Sequence, residues 1–162
     1  MRVLITGASG FIGSRLVDAA SAIWGTENVI AFSSRAGNSC CNIVYKNIDN
    51  FNLNPLDYAL LANVEVLIHA GAFTPKSELE ANWIAECNSN ICFTEKLFAL
   101  PFKNLKKIVL ISAVDVYEPA ELISEATRTL PASLYGWSKL YCEHMTTVFA
   151  ARTQIGCQIL RV

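Results

Sequence analysis

The chain has 162 residues, 52% of them hydrophobic and 17% charged, and its formal net charge at pH 7 is −1. This length suits one domain with a sizeable core, and the near-neutral charge gives no indication of a nucleic-acid partner. The most apolar stretches, such as Val64–Phe73, are much shorter than the roughly 20 residues that a membrane-spanning helix needs. We therefore expect a globular domain that binds neither nucleic acid nor membrane.

The N-terminal residues and the cysteines indicate the compartment. The opening MRVLITGASGFIG is too short in apolar length and too rich in glycine for a signal peptide. Six cysteines form no CxxC pair and show no zinc-ligand spacing. They are Cys40, Cys41, Cys87, Cys92, Cys142 and Cys157. We expect free thiols in a reducing cytoplasm and no metal site.

Short apolar runs alternate with helical patterns along the whole chain, which is typical of βαβ units. The predicted strands are Val3–Thr6, Val29–Ser33, Ile43–Ile48, Val64–Ala70, Lys107–Ser112 and Gln158–Val162. The predicted helices are Phe11–Ile23, Leu56–Leu61, Leu79–Leu100 and Leu134–Arg152. This order predicts an α/β fold with a doubly wound, mostly parallel sheet of the Rossmann type. Strands buried on both faces explain the apolar composition, and an exposed face that a partner covers would also explain it.

The first strand leads into a helix through three glycines spaced G-x-x-G-x-x-G: Gly7, Gly10 and Gly13. Glycine lets a pyrophosphate approach the bare backbone, and the N–H groups of the helix then point at the phosphates. This context predicts a dinucleotide cofactor rather than a purely structural turn. The loop residues counted as cofactor contacts are Gly7, Ser9, Gly10, Phe11, Ile12 and Gly13, although Phe11 and Ile12 are interpreted first as core anchors.

The end of the second strand predicts which dinucleotide binds. NAD-binding domains usually place an acid here, against the ribose hydroxyls, whereas this chain has Ser33, Ser34 and Arg35. Hydroxyls and a guanidinium would bind the extra phosphate of NADP, so we expect NADP, with NAD as the alternative. Asp49 and Asn50 follow the third strand and are expected to contact adenine, although Asp is also an ordinary turn residue.

Tyr135 and Lys139 lie four residues apart, on one face of a predicted helix. A nearby cation favours the phenolate and lowers the pKa of a tyrosine from its ordinary value of about 10. Tyr135 would then exchange a proton with a substrate hydroxyl, and Lys139 would bind the nicotinamide ribose. The apolar residues of this helix are expected to supply its buried face. They are Trp137, Leu140, Tyr141, Val148 and Phe149.

Five segments, in this order and spacing, resemble the extended short-chain dehydrogenase/reductase family of the epimerase/dehydratase kind. They are Thr6–Gly13, Ile68–Ala72, Ile111–Tyr117, Tyr135–Lys139 and Ile159–Arg161, together with Asn90. The resemblance implies hydride transfer, often on a nucleotide sugar. It also implies that Ala70, Gly71 and Ala72 line the cofactor. Asn90 resembles the asparagine that stabilises the central sheet and the active-site helix, and His69 is expected to pack at a strand end.

The sequence departs from the pattern of this family at one position. The catalytic Ser or Thr of the family falls on Ala113, with Ser112 one residue earlier. Neighbouring strand residues point to opposite faces, so Ser112 replaces that hydroxyl only if the strand end bends. The alternatives to an enzyme are therefore a non-catalytic nucleotide-sensing or scaffold module, or an inactive fragment.

The chain stops after its sixth predicted strand, so we expect the cofactor half of a longer protein without the substrate-binding domain. By resemblance, pairing into a homodimer would use the helices at 79–100 and 134–152.

Overall fold

The computed structural model describes residues 1–35, 41–45 and 51–162, and in these ranges it contains one six-stranded parallel sheet. The strands are β1 (Val3–Thr6), β2 (Val29–Ser33), β3 (Cys41–Val44), β4 (Val66–His69), β5 (Lys107–Ser112) and β6 (Gly156–Arg161). Their order across the sheet is β3-β2-β1-β4-β5-β6, and every neighbouring pair is parallel. The predicted doubly wound α/β fold is confirmed. The order reverses between β1 and β4, where such sheets open a crevice at the carboxyl ends of their strands.

Within the described ranges, four α-helices cover the sheet. They are α1 (Phe11–Trp24), α2 (Pro55–Ala62), α3 (Ile84–Phe98) and α4 (Leu134–Thr153). Alternate strand residues face opposite sides, so the core has two halves. Val3, Ile5 and Ala31 pack with α1 on one side, whereas Leu4 and Phe32 pack with residues of α2, α3 and α4 on the other.

Most differences between the observed and predicted element boundaries are of one or two residues, and the largest is at the start of α3. A 3₁₀ turn at Glu80–Asn82 precedes α3, and Trp83 is extended, with φ −72° and ψ 112°. The helix predicted from Leu79 therefore begins at Ile84. The strand predicted at Ile43–Ile48 begins earlier, at Cys41, and its predicted end lies outside the described residues.

The buried face of α4 is the opposite of the predicted one. Trp137 and Tyr141 are 49% and 56% exposed, while Tyr135 and Lys139 are only 6% and 5% exposed. The prediction that apolar side chains supply this face is wrong for Trp137, Tyr141 and Val148. Polar residues lie inside instead because they find partners on neighbouring elements, as described for the site below. The helix begins at Leu134 because the Ser133 hydroxyl accepts a hydrogen bond from the N–H of Gly136, 3.1 Å away.

Within the described ranges, no helix is long and apolar enough to cross a membrane. The same ranges hold no group of three His, Cys, Asp or Glu side chains placed to bind a metal ion. Cys87, Cys92, Cys142 and Cys157 are free thiols.

Candidate active site and cofactor cleft

The turn between β1 and α1 is packed so tightly that two of its glycines are required. Gly7 has φ +65°, in the left-handed region that favours glycine. A Cβ on Gly13 would lie 2.1 Å from the carbonyl oxygen of Gly7. The N–H of Gly10 donates to that same oxygen over 2.8 Å. The three glycines thus fold the loop back on itself and leave bare backbone at its surface.

Helix α1 begins at this bare backbone. Its N-cap is Gly10, which provides no side-chain cap in the described structure, so the first-turn N–H groups are left for a ligand. Phe11 is 84% exposed and Ile12 40% exposed. The interpretation of Phe11 and Ile12 as core anchors is therefore wrong, because both side chains are exposed and line clefts instead.

Around this turn lies a cleft of about 590 Å³, called here the glycine cleft. Nearly all the cofactor contacts predicted from the sequence line it. They are Gly7, Ser9, Gly10, Phe11, Ile12, Gly13, Ser33, Ser34, Arg35, Ala70, Gly71, Ala72 and Asn90. Asp49 and Asn50, predicted to contact adenine, lie outside the described residues. The sequence did not single out Tyr45, Phe73, Thr74, Ser89 or Phe93, which also line the cleft.

The glycine cleft fits a dinucleotide. It offers bare backbone and the amino end of α1 for a pyrophosphate, and at the end of β2 it offers exposed Ser34 and Arg35. The Ser33 hydroxyl is committed, because it donates to the carbonyl oxygen of Arg35, and Ser33 is only 3% exposed. Of the three residues predicted to meet a ribose phosphate, Ser34 and Arg35 therefore remain open to one.

A buried histidine fixes the two loops that meet at the glycine cleft. His69 Nδ1 lies 2.8 Å from Thr6 Oγ1, and Nε2 lies 3.0 Å from Thr94 Oγ1. Thr6 Oγ1 also accepts from the N–H groups of Ala70 and Gly71. Burial, together with a smaller effect of the Lys139 charge, lowers the pKa of His69 to about 3. The expectation of a packed strand-end residue is confirmed: His69 is held neutral.

Tyr135 and Lys139 open into a second cleft of about 420 Å³, called here the tyrosine cleft. Lys139 Nζ donates to the carbonyl oxygen of Ile111 at the end of β5, 2.8 Å away. Burial lowers the pKa of Lys139, partly offset by the nearby Cys142 and Glu143. The structure thus brings the predicted pair to the carboxyl end of β5.

The pKa of Tyr135 departs from the sequence-based expectation. Burial raises it, and the side chain of Thr74 lowers it only in part, while Asp115 and the thiols of Cys87 and Cys142 raise it further. The predicted lowering by Lys139 is wrong for this arrangement, since the ammonium is bound to the Ile111 carbonyl and burial dominates.

Ser112 lies at the predicted place, but its hydroxyl has a partner. It donates to Glu143 Oε1 over 2.5 Å, and Ser112 is 3% exposed. Arg161 binds the same carboxylate through two N–H groups, at 2.9 and 2.7 Å. Arg161 also lies over the ring of Tyr117, 4.6 Å from its centroid. These contacts join β5, α4 and β6, and the predicted catalytic role of Ser112 stays a prediction.

Asn90 joins α3 to both neighbouring parts of the site. Its Oδ1 accepts from the N–H of Phe73 over 2.6 Å, and its Nδ2 donates to the Ser138 hydroxyl over 3.1 Å. Ser138 donates in turn to the carbonyl of Tyr135. The stabilising role that the resemblance implied is thus visible in the contacts of Asn90, which hold the loop after β4 against the helix of Tyr135.

The strand order and the glycine turn define a Rossmann-type dinucleotide-binding domain. The model of the NAD dependent epimerase/dehydratase family matches residues 3–162. This chain therefore belongs to the NAD dependent epimerase/dehydratase family, as the resemblance predicted.

Named relatives agree with this assignment. An ADP-L-glycero-D-manno-heptose-6-epimerase from Cupriavidus pinatubonensis (strain JMP 134 / LMG 1197) is 28% identical over 86% of this chain and 43% of its own length. An uncharacterized UDP-glucose epimerase, YtcB from Bacillus subtilis (strain 168), is 30% identical over 99% of this chain and 55% of its own.

A UDP-glucuronic acid 4-epimerase variant from Bacillus cereus was solved with UDP-4-deoxy-4-fluoro-glucuronic acid and NAD. It is 28% identical, with a TM-score of 0.75 over 99% of this chain and 56% of its own. The chain spans about half the length of these relatives.

Proposed function

We propose that this chain is the NAD(P)-binding part of an oxidoreductase, epimerase or dehydratase that acts on a nucleotide sugar, with Tyr135 and Lys139 as its proton-transfer pair. One observation carries the proposal: the glycine cleft and the tyrosine cleft run into each other. Their shared lining is Phe11, Ile12, Ala70, Ala72 and Thr74. A dinucleotide held at the glycine turn would thus reach towards the phenol.

Each residue then has a definite task. The bound dinucleotide supplies hydride transfer at its nicotinamide. The N–H groups at the start of α1 bind its pyrophosphate, and the Lys139 ammonium binds the ribose hydroxyls beside Ile111. Tyr135 exchanges a proton with the substrate hydroxyl at its phenol oxygen. Cofactor preference is for NADP, because Arg35 is an exposed cation without an acid beside it in Ser33–Arg35.

Substrate class and assembly rest on the relatives. Two of those named above carry UDP-sugars in their names or titles, which supports a nucleotide-sugar substrate. Pairing into a homodimer through 79–100 and 134–152 is supported by an exposed apolar stripe on α4. Trp137, Tyr141 and Val148 are spaced by four and seven residues and are 49%, 56% and 47% exposed. Sedimentation of the wild type and Tyr141→Lys tests this, since only the wild type should dimerise.

The experiment for cofactor binding uses Gly10, whose φ of −83° any residue adopts. Gly10→Asp supplies a good N-cap but places a carboxylate where the pyrophosphate would lie, and Gly10→Asn is its neutral match. Calorimetric titration with NADPH and NADH should show the tightest binding to the wild type, weaker binding to Gly10→Asn, and none to Gly10→Asp. The proposal fails if the wild type binds neither nucleotide, or if both variants bind equally well.

A non-catalytic nucleotide-sensing module is the second candidate. It is favoured by Ala113, which is 5% exposed and packs against Tyr135, so a methyl group lies beside the phenol where the resemblance expects a hydroxyl. A sensor binds the nucleotide in the same titration but needs no proton relay. If a protein that joins this chain to a substrate-binding domain turns over its substrate, and Tyr135→Phe abolishes that turnover, the sensor function is excluded.

A further inference from the structure

The phenol of Tyr135 lies in mostly apolar surroundings. Tyr135 packs with Cys87 and Ala113, against Phe73 and Ala81. Such surroundings disfavour the phenolate, since a charge without hydrogen-bond partners is costly to bury. A tyrosine that exchanges protons therefore needs a donor at its oxygen.

Besides the Lys139 ammonium, which the Ile111 carbonyl holds, the tyrosine cleft offers few donors. Among the described residues that line it, hydroxyl groups are carried by Thr74, Ser112 and Tyr135 itself. The Ser112 hydroxyl already donates a hydrogen bond to Glu143, and the neighbouring Ala113 carries no hydroxyl. Thr74 remains: it lines this cleft together with Tyr135, and its side chain lowers the pKa of that phenol.

Thr74 is also well placed. It follows β4 on the loop that Asn90 holds through Phe73, so its backbone is anchored to α3 and, through Ser138, to the helix of Tyr135. Its side chain is exposed and lines both clefts. It therefore stands where a dinucleotide, a substrate oxygen and the phenol would meet.

We propose that Thr74 is the positioning residue of Tyr135, donating from the loop after β4 the hydrogen bond that a hydroxyl at position 113 would otherwise supply. This inference rests on the proposed role of Tyr135. The Thr74 hydroxyl stabilises the phenolate as the proton leaves, by donating to the phenol oxygen from a loop that Asn90 holds in place. Ala113 is then compatible with catalysis, because Thr74, on the loop after β4, supplies the hydroxyl that Ala113 lacks.

The test measures the phenol itself, without cofactor or substrate. Tyrosine is labelled at its ¹³Cζ, and the Tyr135 signal is identified by its loss in Tyr135→Phe. The midpoint of its titration should move to higher pH in Thr74→Val, which keeps the shape but removes the donor, and should return to the wild-type value in Thr74→Ser. Thr129→Val, at an exposed position of the loop before α4, should leave the midpoint unchanged.

If the chain unfolds before the midpoint, the ¹³Cζ shift of Tyr135 at pH 8 decides, because it responds to hydrogen bonding at the phenol oxygen. The inference is overturned if Thr74→Val matches the wild type while its thermal melting shows an intact fold, or if Thr74→Ser behaves like Thr74→Val. Since no nucleotide is present, this result is independent of the Gly10 titration. Failure of nucleotide binding would overturn the proposed function and leave the pairing of Thr74 with Tyr135 measurable.

Discussion

The ammonium group of Lys139 donates a hydrogen bond to the carbonyl oxygen of Ile111, 2.8 Å away, at the end of β5. A lysine that is 5% exposed is costly to keep charged, and burial lowers its pKa. Lys139 also lines the tyrosine cleft. The Ile111 carbonyl therefore holds the ammonium in place for a ligand.

Lys139→Met tests this arrangement by removing the charge while keeping the length of the side chain. We expect NADPH affinity to fall about tenfold, from the loss of one charged hydrogen bond. The free energy of unfolding should change by less than about 1 kcal/mol, because an unfavourable buried charge is lost with the bond. Calorimetry and urea unfolding measure the two quantities. Lys96→Met, on the exposed side of α3, should change neither, and unaltered affinity in Lys139→Met would show that the ammonium does not meet the nucleotide.

Ser112→Ala separates a structural role from a catalytic one. The variant deprives Glu143 of one hydrogen bond but leaves both bonds from Arg161. We expect the free energy of unfolding to fall by about 1–2 kcal/mol, the range for a hydrogen bond to a charged group, with NADPH affinity unchanged. Turnover, measured on a protein that joins this chain to a substrate-binding domain, should fall only as far as its stability requires. If turnover falls a hundredfold or more while the free energy of unfolding is unchanged, Ser112 has a catalytic role.

Cofactor choice is tested at Arg35. Exposed Ser34 and Arg35 should favour NADPH over NADH by at least about tenfold, because a charge-assisted bond to the 2′-phosphate contributes about 1.5–3 kcal/mol. Arg35→Ala should remove the preference by weakening NADPH alone, whereas Arg152→Ala, on the exposed end of α4, should keep it. Equal affinity of the wild type for both nucleotides, or tighter binding of NADH, contradicts the NADP assignment.

Local sequence signals predicted the sheet and the glycine turn well, because both depend on residues close in sequence. The strand periodicity and the Gly7–Gly13 spacing place β1, α1 and β2 within one residue of the structure. The face of α4 was predicted wrongly for a physical reason. Polar Ser138 and Glu143 are buried because their partners, Asn90 and Arg161, lie on other elements. No pattern within one helix shows such partners.

Two features of the site likewise had no local signal. The position of Thr74 in the tyrosine cleft depends on how the loop after β4 packs against α4, which no local sequence pattern indicates. Phe11 is apolar and follows the turn, as a core anchor would, yet the first turn of α1 leaves it 84% exposed. Sequence reasoning found which residues gather at the site, and packing decided which way their side chains face.

The tight turn predicts a large effect at Gly13. Gly13→Ala would bring its Cβ to 2.1 Å from the Gly7 carbonyl oxygen, so backbone must move. We expect the free energy of unfolding to fall by about 2–3 kcal/mol, as for other overpacked sites. Gly156→Ala is the matched control, because its Cβ would meet nothing nearer than 3.5 Å. It should be unchanged or about 0.5 kcal/mol more stable. Equal urea midpoints for the two variants would contradict the described turn.

The buried His69 predicts how stability depends on pH. Its pKa is about 3 in the fold and about 6.5 when unfolded. Above pH 6.5 the ring is neutral in both states, so its contribution to stability is fully present. As the pH falls from 6.5 towards 3, His69 binds a proton in the unfolded chain but not in the folded one. The free energy of unfolding therefore falls by up to about 1.4 kcal/mol per pH unit.

Urea unfolding at pH 7.5 and 5.0 measures this loss, which should amount to about 2 kcal/mol at pH 5.0 from His69 alone. His69→Asn removes the titrating ring, so its unfolding free energy should depend less on pH by that amount, whatever its overall stability. His144→Asn, on the exposed surface of α4, should keep the wild-type dependence. If the wild type and His69→Asn lose stability equally between the two pH values, His69 is not held neutral between Thr6 and Thr94.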